Sequence, residues 1–241
     1  MDFAFLIETW LALLAGLPLT LQLAAGSVLC GGILAMALAA MRLSGLAVLA
    51  WPAHAFVFVF RGTPLLVQIF LIYYGLGQFR PTLQAWGLWW FFREPYWCAL
   101  TALSLNTAAY ASEIIRGALL SVPHGQVEAA RACGMGRLTL YRRIVGPIAL
   151  RQALPGYSNE IVSMVKATSL ASVITLAEVT FIAQKLISQT FRSVEIFVAA
   201  GSIYLLVNIL VTRALLLLEH RLSPHLRAPP REPTEREAAH A

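Results

Sequence analysis

Long apolar runs separated by short polar segments dominate this sequence. Hydrophobic residues make up 59% of its 241 residues and charged residues only 12%, which is about half the charged share of a soluble domain. The runs reach or exceed the ~20 residues that a helix needs to cross a bilayer. They also lack the alternation over about ten residues that is typical of membrane-spanning β-strands. The chain is therefore predicted to be an all-α integral membrane protein.

Breaks in the apolar pattern predict five transmembrane helices within one domain, residues 14–219. The predicted spans are 19–41, 46–77, 96–120, 150–177 and 196–218. Residues 1–13 are apolar but carry Asp2 and Glu8, which favours an N-terminal interfacial segment before the first span. Residues 220–241 are charged and lack apolar periodicity, so they are predicted to be a disordered cytoplasmic tail.

The distribution of arginine predicts the orientation in the membrane. Two segments are rich in arginine: residues 120–151 hold Arg131, Arg137, Arg142, Arg143 and Arg151 against one acid, Glu128, and the tail holds Arg221, Arg227, Arg231 and Arg236. Basic residues are enriched on the cytoplasmic side, and two spans separate these segments, so both can be cytoplasmic. The N-terminus is then periplasmic and the C-terminus cytoplasmic. The net charge of +6 reflects topology and lipid headgroup contacts, not nucleic-acid binding.

Several classes of site are excluded by what the sequence lacks. The three cysteines, Cys30, Cys98 and Cys133, are far apart and odd in number, which supports neither a disulfide framework nor a metal site. The N-terminus has no basic region of a cleaved signal peptide, so we expect the first apolar run to remain in the mature protein. No Gly-x-x-x-x-Gly-Lys-Ser/Thr loop is present, so the chain should not bind ATP in that way. We expect no cofactor and no catalytic residue in this chain.

The second predicted span contains an Arg-Gly-Thr-Pro stretch at 61–64. Pro64 removes a backbone donor, and the residue before a proline is disfavoured in helical geometry, so this span should be broken or kinked. A charged residue at such a break marks a candidate functional site. The alternative is that Arg61 extends to a lipid headgroup.

Spans three and four carry further polar residues, which are Asn106, Tyr110, Glu113, Glu160, Lys166, Thr168 and Ser169. Ionisable groups are too costly to face lipid, so they should face the bundle interior, a partner subunit or a watery cavity. Structural alternatives remain open for several of them. Glu113 can pair with Arg116 on the same helix face, Lys166 can pair with Glu160 or with a partner chain, and Thr168 and Ser169 can hydrogen-bond across helices.

The loop between spans three and four is polar and rich in small residues. Pro123 can start a helix, residues 126–132 can form it, and Gly134 can end it. Its alanines leave a smooth face for close packing, and Glu128 lies near the positive end of the helix dipole. This pattern predicts a short extramembrane helix on which a partner docks, with a solvated loop helix as the alternative.

The spacing in this loop resembles the cytoplasmic coupling motif of ABC importer permeases. Glu128-Ala129-Ala130 is followed by three residues and Gly134, then by nine residues and Ile144-x-Gly146-Pro147. A leucine is usual in that family where this chain has Gly146. Four further blocks, 16–21, 60–68, 110–118 and 166–170, are similar to the polar amino-acid branch, with Ser112 where alanine is usual. Residues 121–125 and 155–160 look most like subunits for histidine, lysine, arginine, ornithine and opines, and the resemblance covers about 14–219.

This resemblance implies a type I ABC importer permease fold in a bacterial inner membrane. It implies pairing with a second permease, either itself or a sister chain, a periplasmic solute-binding protein that delivers the amino-acid substrate, and ATPase subunits that bind ATP and magnesium. The loop 121–149 then couples ATP hydrolysis to uptake. The motif and the residues around it imply that coupling depends on Gly125, Glu128, Ala129, Ala130, Gly134 and Pro147.

The polar groups within the spans are the predicted substrate path. Arg61 and Thr63 suit a substrate carboxylate, whereas acidic and amide side chains suit its cationic end. The complete predicted path is Arg61, Thr63, Gln68, Asn106, Tyr110, Glu113, Glu160, Thr168 and Ser169. The competing hypotheses are a secondary transporter or channel with Glu113, Glu160 and Lys166 as an ion relay, and a membrane scaffold without transport. The coupling motif favours the importer, because a secondary carrier has no use for it.

Overall fold

The computed structural model describes residues 3–222, and all regular secondary structure in that range is helical. The all-α class is therefore confirmed. The predicted disordered tail lies almost wholly outside the described residues; only 220–222, which end the last helix, lie within them.

The first two helices are α1 (Phe3–Leu14) and α2 (Leu17–Leu43). The turn between them is compact because Gly16 lies against the backbone of a later segment, where an added Cβ would approach the Glu178 carbonyl carbon to 2.6 Å. Pro18 lies in the first turn of α2, where its missing N–H costs no hydrogen bond. Helix α2 begins two residues before the predicted span.

A glycine turn leads into the broken span. Gly45 has a φ of +73°, a backbone conformation that residues other than glycine adopt at a cost in free energy. Helix α3 (Ala47–Gly62) begins after this turn. Helix α4 (Leu65–Phe70) continues into the π-helical turn Leu71–Gly75. The axes on either side of the break differ by 108°. The predicted break is confirmed, and the bend at it exceeds a right angle.

Two short helices, α5 (Arg80–Ala85) and α6 (Trp89–Phe92), precede the long helix α7 (Pro95–Leu120). Helix α7 is the centre of the bundle, and α2 packs along it more extensively than any other helix. Small residues allow this close approach: a Cβ added to Gly31 of α2 would lie 2.7 Å from the carbonyl oxygen of Ser104.

The remaining elements are α8 (His124–Ala132), α9 (Arg137–Leu140), the π-helical turn Tyr141–Val145, α10 (Gly146–Ala167), the 3-10 segment Thr168–Ile174, α11 (Val179–Thr190) and α12 (Ser193–Leu222). The chain bends by 49° before α11. The side chain of Glu178 caps α11 by accepting hydrogen bonds from the backbone N–H groups of Thr180 and Phe181 at 2.9 and 2.8 Å. Tyr204 of α12 donates to the same carboxylate at 2.6 Å.

Two of the described helices, α2 and α12, are long and apolar enough to cross a membrane on their own. Counting each bent pair as one span raises the number of candidate spans to four. Helix α7 has 26 residues and is less apolar than α2 and α12. Many of its alanine, serine and asparagine side chains are buried against other helices.

Candidate functional site

A polar cavity of about 510 Å³ lies at the broken span, between the end of α3, the middle of α7 and the second half of α10. Its lining residues are Arg61, Gly62, Thr63, Pro64, Leu65, Asn106, Tyr110, Glu160, Ser163, Met164 and Ala167. The cavity therefore brings together five predicted path residues from separate spans, and it contains one basic and one acidic side chain.

The basic side of the cavity is Arg61, in the last turn of α3. Its guanidinium lies over the ring of Tyr110 on α7, with the carbon of the guanidinium 5.2 Å from the ring centroid. A cation at this distance is attracted by the ring face. The contact holds Arg61 at the cavity without neutralising its charge, so the guanidinium can still bind an anion.

The break beside Arg61 is closed by Gln68 of α4. Pro64 has no N–H, which leaves the carbonyl of Phe60 without its helical donor. The side-chain amide nitrogen of Gln68 donates to that carbonyl at 2.8 Å, and also to the Thr63 carbonyl at 3.1 Å and the Thr63 hydroxyl at 2.9 Å. A break at membrane depth needs such internal partners, because no water is available to replace the lost bond.

The same side chain connects the break to the central helix. Asn106 of α7 donates from Nδ2 to Oε1 of Gln68 at 3.1 Å, and both residues are buried. Thr63 in turn donates to the Val59 carbonyl at 2.8 Å. Gln68 thus lies behind the lining and orients Thr63, whereas the sequence predicts it as part of the path itself.

The acidic side of the cavity is Glu160 of α10, with Ser163 and Met164 on the same helix. Arg61 and Glu160 are the two charged side chains among the lining residues. A cavity with a cation on one wall and an anion on another is suited to a zwitterionic ligand, whose carboxylate and ammonium groups each find an opposite charge.

Glu113 lies outside this lining and belongs to an ion cluster of α2, α3 and α7. Arg116 donates to one of its carboxylate oxygens at 2.9 Å, and Arg42 pairs with the other. The side chain of Arg42 is only 9% exposed. Arg42 also donates to Nε2 of His54 at 3.0 Å, so this nitrogen must be the acceptor, since arginine has only donors. The predicted pairing of Glu113 with Arg116 is present.

The other predicted path residues also lie outside the lining. The hydroxyl of Thr168 donates to the Val165 carbonyl at 2.8 Å, and that of Ser169 donates to the Lys166 carbonyl at 2.7 Å. Both bonds are local to one turn. Lys166 is exposed, and no ion pair joins it to Glu160 in the described part of the chain.

A second candidate surface is formed by α8 and the start of α10. Ala130 of α8 is buried with Val122, Leu140 and Val145 in a small apolar cluster, which fixes the helix against the ends of α7 and α10. Gly125, Glu128 and Ala129 remain exposed. One face of α8 thus anchors the helix, and the opposite face is available to a partner.

Local chemistry sets the ends of this surface. Pro123 precedes the first turn of α8, and Gly134 follows it with a φ of +76°, so the predicted helix start and stop are confirmed. Pro147 lies in the first turn of α10, directly after the π-helical turn. Because proline cannot donate to the carbonyl four residues before it, the regular hydrogen-bond ladder cannot run through this point.

A groove of about 400 Å³ runs beside α8 and has residues that sequence reasoning did not single out. Arg131 and Tyr141 line it together with Glu128. Leu138 of α9, which is close to these residues in the sequence, is 83% exposed. An apolar residue between two polar residues of a polar loop is the pattern that could have indicated it. The sequence also did not indicate Ser163 of the cavity, because a single serine in an apolar helix forms no distinctive pattern.

Residues 27–224 match the protein family described as the inner membrane component of binding-protein-dependent transport systems. The chain belongs to this family. The octopine transport system permease protein OccM of Rhizobium radiobacter is 60% identical over 226 residues, which cover 94% of this chain and 92% of that protein. The histidine/lysine/arginine/ornithine transport system permease protein HisM of Salmonella typhimurium is 39% identical over 91% of this chain and 96% of its own length.

A solved structure agrees with these relatives. The crystal structure of an amino acid ABC transporter with histidines matches with a TM-score of 0.80 and 32% identity, over 92% of this chain and 99% of that chain. The resemblance to ABC importer permeases is therefore confirmed, and the chain is a membrane component of a transport system. The alternative of a secondary transporter or channel is not supported.

Proposed function

We propose that this chain is the permease subunit of an ATP-driven importer for basic amino acids or opines. The cavity that combines Arg61 and Thr63 with Glu160 supports an amino-acid substrate, and the names of the relatives favour a basic amino acid or an opine within that class. A substrate carboxylate would bind the guanidinium and hydroxyl, and a cationic group would bind the carboxylate. Relatives are named for octopine and for histidine, lysine, arginine and ornithine. Each of these compounds has a carboxylate and a cationic group.

The chain crosses the inner membrane five times in this proposal. The spans are α2, the broken α3–α4 pair, α7, α10 with its 3-10 extension, and α12. Helix α7 has 26 residues, which corresponds to about 39 Å and exceeds the ~30 Å hydrocarbon thickness. Because its small polar residues face neighbouring helices, low hydropathy does not exclude it as a span. The N-terminus is periplasmic and the C-terminus cytoplasmic, as the arginine distribution predicts.

ATPase subunits dock on the exposed face of α8 and on the groove beside it. Glu128, Arg131 and Tyr141 offer charge and an aromatic surface there, and Ala129 allows close approach. Because Ala130 shares one apolar cluster with Ala118 of α7 and Ala149 of α10, movement of α8 would be transmitted to two of the helices that line the cavity. A nucleotide can shift such an equilibrium only by its differential affinity for the two states, and α8 is where that free energy would enter this chain. A second permease chain and a periplasmic binding protein complete the complex.

The test is uptake by the complete transporter, reconstituted in proteoliposomes with its ATPase and binding protein. We expect ATP-dependent uptake of radiolabelled arginine or octopine, because both have the charges that the cavity complements. The variant Glu128→Lys should retain the complex in the membrane but lose at least about tenfold in uptake per ATP hydrolysed, a loss equivalent to 1.4 kcal/mol of coupling.

The matched control is Glu8→Lys, which makes the same charge change at an exposed residue of α1. It should leave the uptake per ATP unaltered. If Glu128→Lys and Glu8→Lys behave alike, α8 is not the coupling element. If neither arginine nor octopine is taken up while a neutral amino acid is, the importer class stands and the substrate class is wrong.

A further inference from the structure

A second cavity lies on the opposite side of α7 from the polar cavity and shares no lining residue with it. Its volume is about 480 Å³ and it is bounded by α2, α7 and α10. Leu29, Ile33 and Met36 of α2 and Leu150 of α10 line it and are all more than half exposed. We call it the lateral groove. No helix of the described range covers these side chains.

The lining of the lateral groove offers nothing for a polar ligand. Its residues are apolar except for Tyr157, whose hydroxyl already donates to the Val28 carbonyl at 2.9 Å. The same contact closes the end of the lateral groove next to Val28, because Gly32 lies so near the Tyr157 hydroxyl that an added Cβ would collide with it. The lining therefore favours an apolar occupant, and the Tyr157–Val28 contact limits its length.

The length of the lateral groove distinguishes an acyl chain from a helix. Along α10 it runs from Gly146 to Tyr157, which corresponds to about 16 Å at 1.5 Å per residue. This is roughly half of the ~30 Å hydrocarbon thickness, so the groove has the depth of one leaflet. A transmembrane helix of a partner would need a groove through both leaflets.

Positive charge lies at the open end. Arg142 and Arg143 precede Gly146 by four and three residues, so they lie about one helical turn nearer the cytoplasm. Both are exposed, and neither forms an ion pair with a residue of the range 3–222. Exposed arginines at this depth attract the phosphate of anionic lipids.

We propose that the lateral groove binds one acyl chain of an anionic phospholipid of the cytoplasmic leaflet, with its phosphate on Arg142 and Arg143. The site rests on the orientation given in the proposed function. It is separate from the polar cavity. Leu119 lines both the lateral groove and the groove beside α8, so a bound lipid would contact the region through which the coupling helix is attached.

The test measures lipid retention by native mass spectrometry of the intact transporter complex, titrated with phosphatidylglycerol or with phosphatidylcholine. The unmodified complex should retain phosphatidylglycerol more tightly. The double variant Arg142→Gln/Arg143→Gln should lower the affinity for phosphatidylglycerol at least about tenfold and that for phosphatidylcholine much less, because phosphatidylcholine has the same phosphate but no net negative charge. The control Arg213→Gln/Arg221→Gln removes the same charge from exposed positions of α12 and should change neither affinity.

Two further results bear on the acyl chain itself. Ala153→Phe, which fills the lateral groove, should lower the retention of both lipids, and a photo-crosslinker at position 150 should capture lipid. Equal loss of phosphatidylglycerol in the two arginine double variants would overturn the headgroup site. Capture of the second permease at position 150 would overturn the lipid as occupant. Because these measurements do not require transport, a wrong substrate class would leave their results unchanged.

Discussion

Replacing Gln68 with leucine tests how the broken span is stabilised. The side chain is 5% exposed, and its amide contacts the carbonyls of Phe60 and Thr63 and the amide of Asn106. Leucine has a similar size but can neither donate nor accept. Gln68→Leu therefore removes the side-chain partner of the half-buried Phe60 carbonyl, of the Thr63 carbonyl at the cavity and of the buried Asn106 amide, while the volume of the core is nearly preserved.

The expected loss follows from those three groups. An unsatisfied buried polar group costs about 1–3 kcal/mol, and hydrogen bonds in membrane proteins lie at the low end, with an average of about 0.6 kcal/mol. Three groups then give a loss of about 2–3 kcal/mol. For a chain of this length, 1 kcal/mol corresponds to about 2–4 °C in melting temperature, so the transition should fall by roughly 5–10 °C.

The assay is thermal unfolding of the purified complex in detergent, followed by uptake in proteoliposomes. Gln84→Leu is the matched control, because Gln84 is exposed on α5, and it should shift the melting temperature by less than about 1 °C. Gln68→Glu should destabilise at least as much as Gln68→Leu, since an oxygen would replace the donor that faces two carbonyl oxygens. Equal melting temperatures for Gln68→Leu and Gln84→Leu would refute this account of the break.

Two further predictions concern charges on α10, α7 and α2. Glu160→Gln should lower kcat/KM for arginine at least about tenfold more than for a neutral amino acid, a difference of about 1.4 kcal/mol; equal losses in the uptake assay would remove the role of this carboxylate. Glu113→Gln should leave that preference unchanged, because Glu113 lies outside the cavity lining. Arg42→Gln and Glu113→Gln should instead show a coupling of about 0.5–3 kcal/mol in a double-mutant cycle of thermal stability; additive effects would show that the ion pair contributes nothing.

Local backbone chemistry was readable from the sequence. Pro64 predicts the break, and Gly134 predicts the end of α8, because each acts on φ, ψ or a hydrogen bond within one turn. The size of the bend was not predictable, since 108° depends on how α4 packs against α7. The number of helices that cross the membrane also remains a prediction from apolar runs and charge.

The assignment of polar side chains within the spans was harder. A span that contains Glu113 predicts that the carboxylate faces away from lipid, but its partner Arg42 is distant in the sequence and close only in the folded bundle. The same holds for Gln68, whose partners lie across the break and on α7. Cavity-lining and supporting residues share the same residue types, and only three-dimensional contacts separate them.

Helix α3 has a joint at each end, with the left-handed Gly45 before it and the Thr63–Pro64 break after it. Between these joints the helix is about 22 Å long from its start to Arg61. A rotation of about 5° at the Gly45 turn would displace Arg61 by about 2 Å over that length. Such a displacement is enough to make or break a hydrogen bond. The backbone conformation at Gly45 can thus affect the position of a cavity residue at the other end of α3.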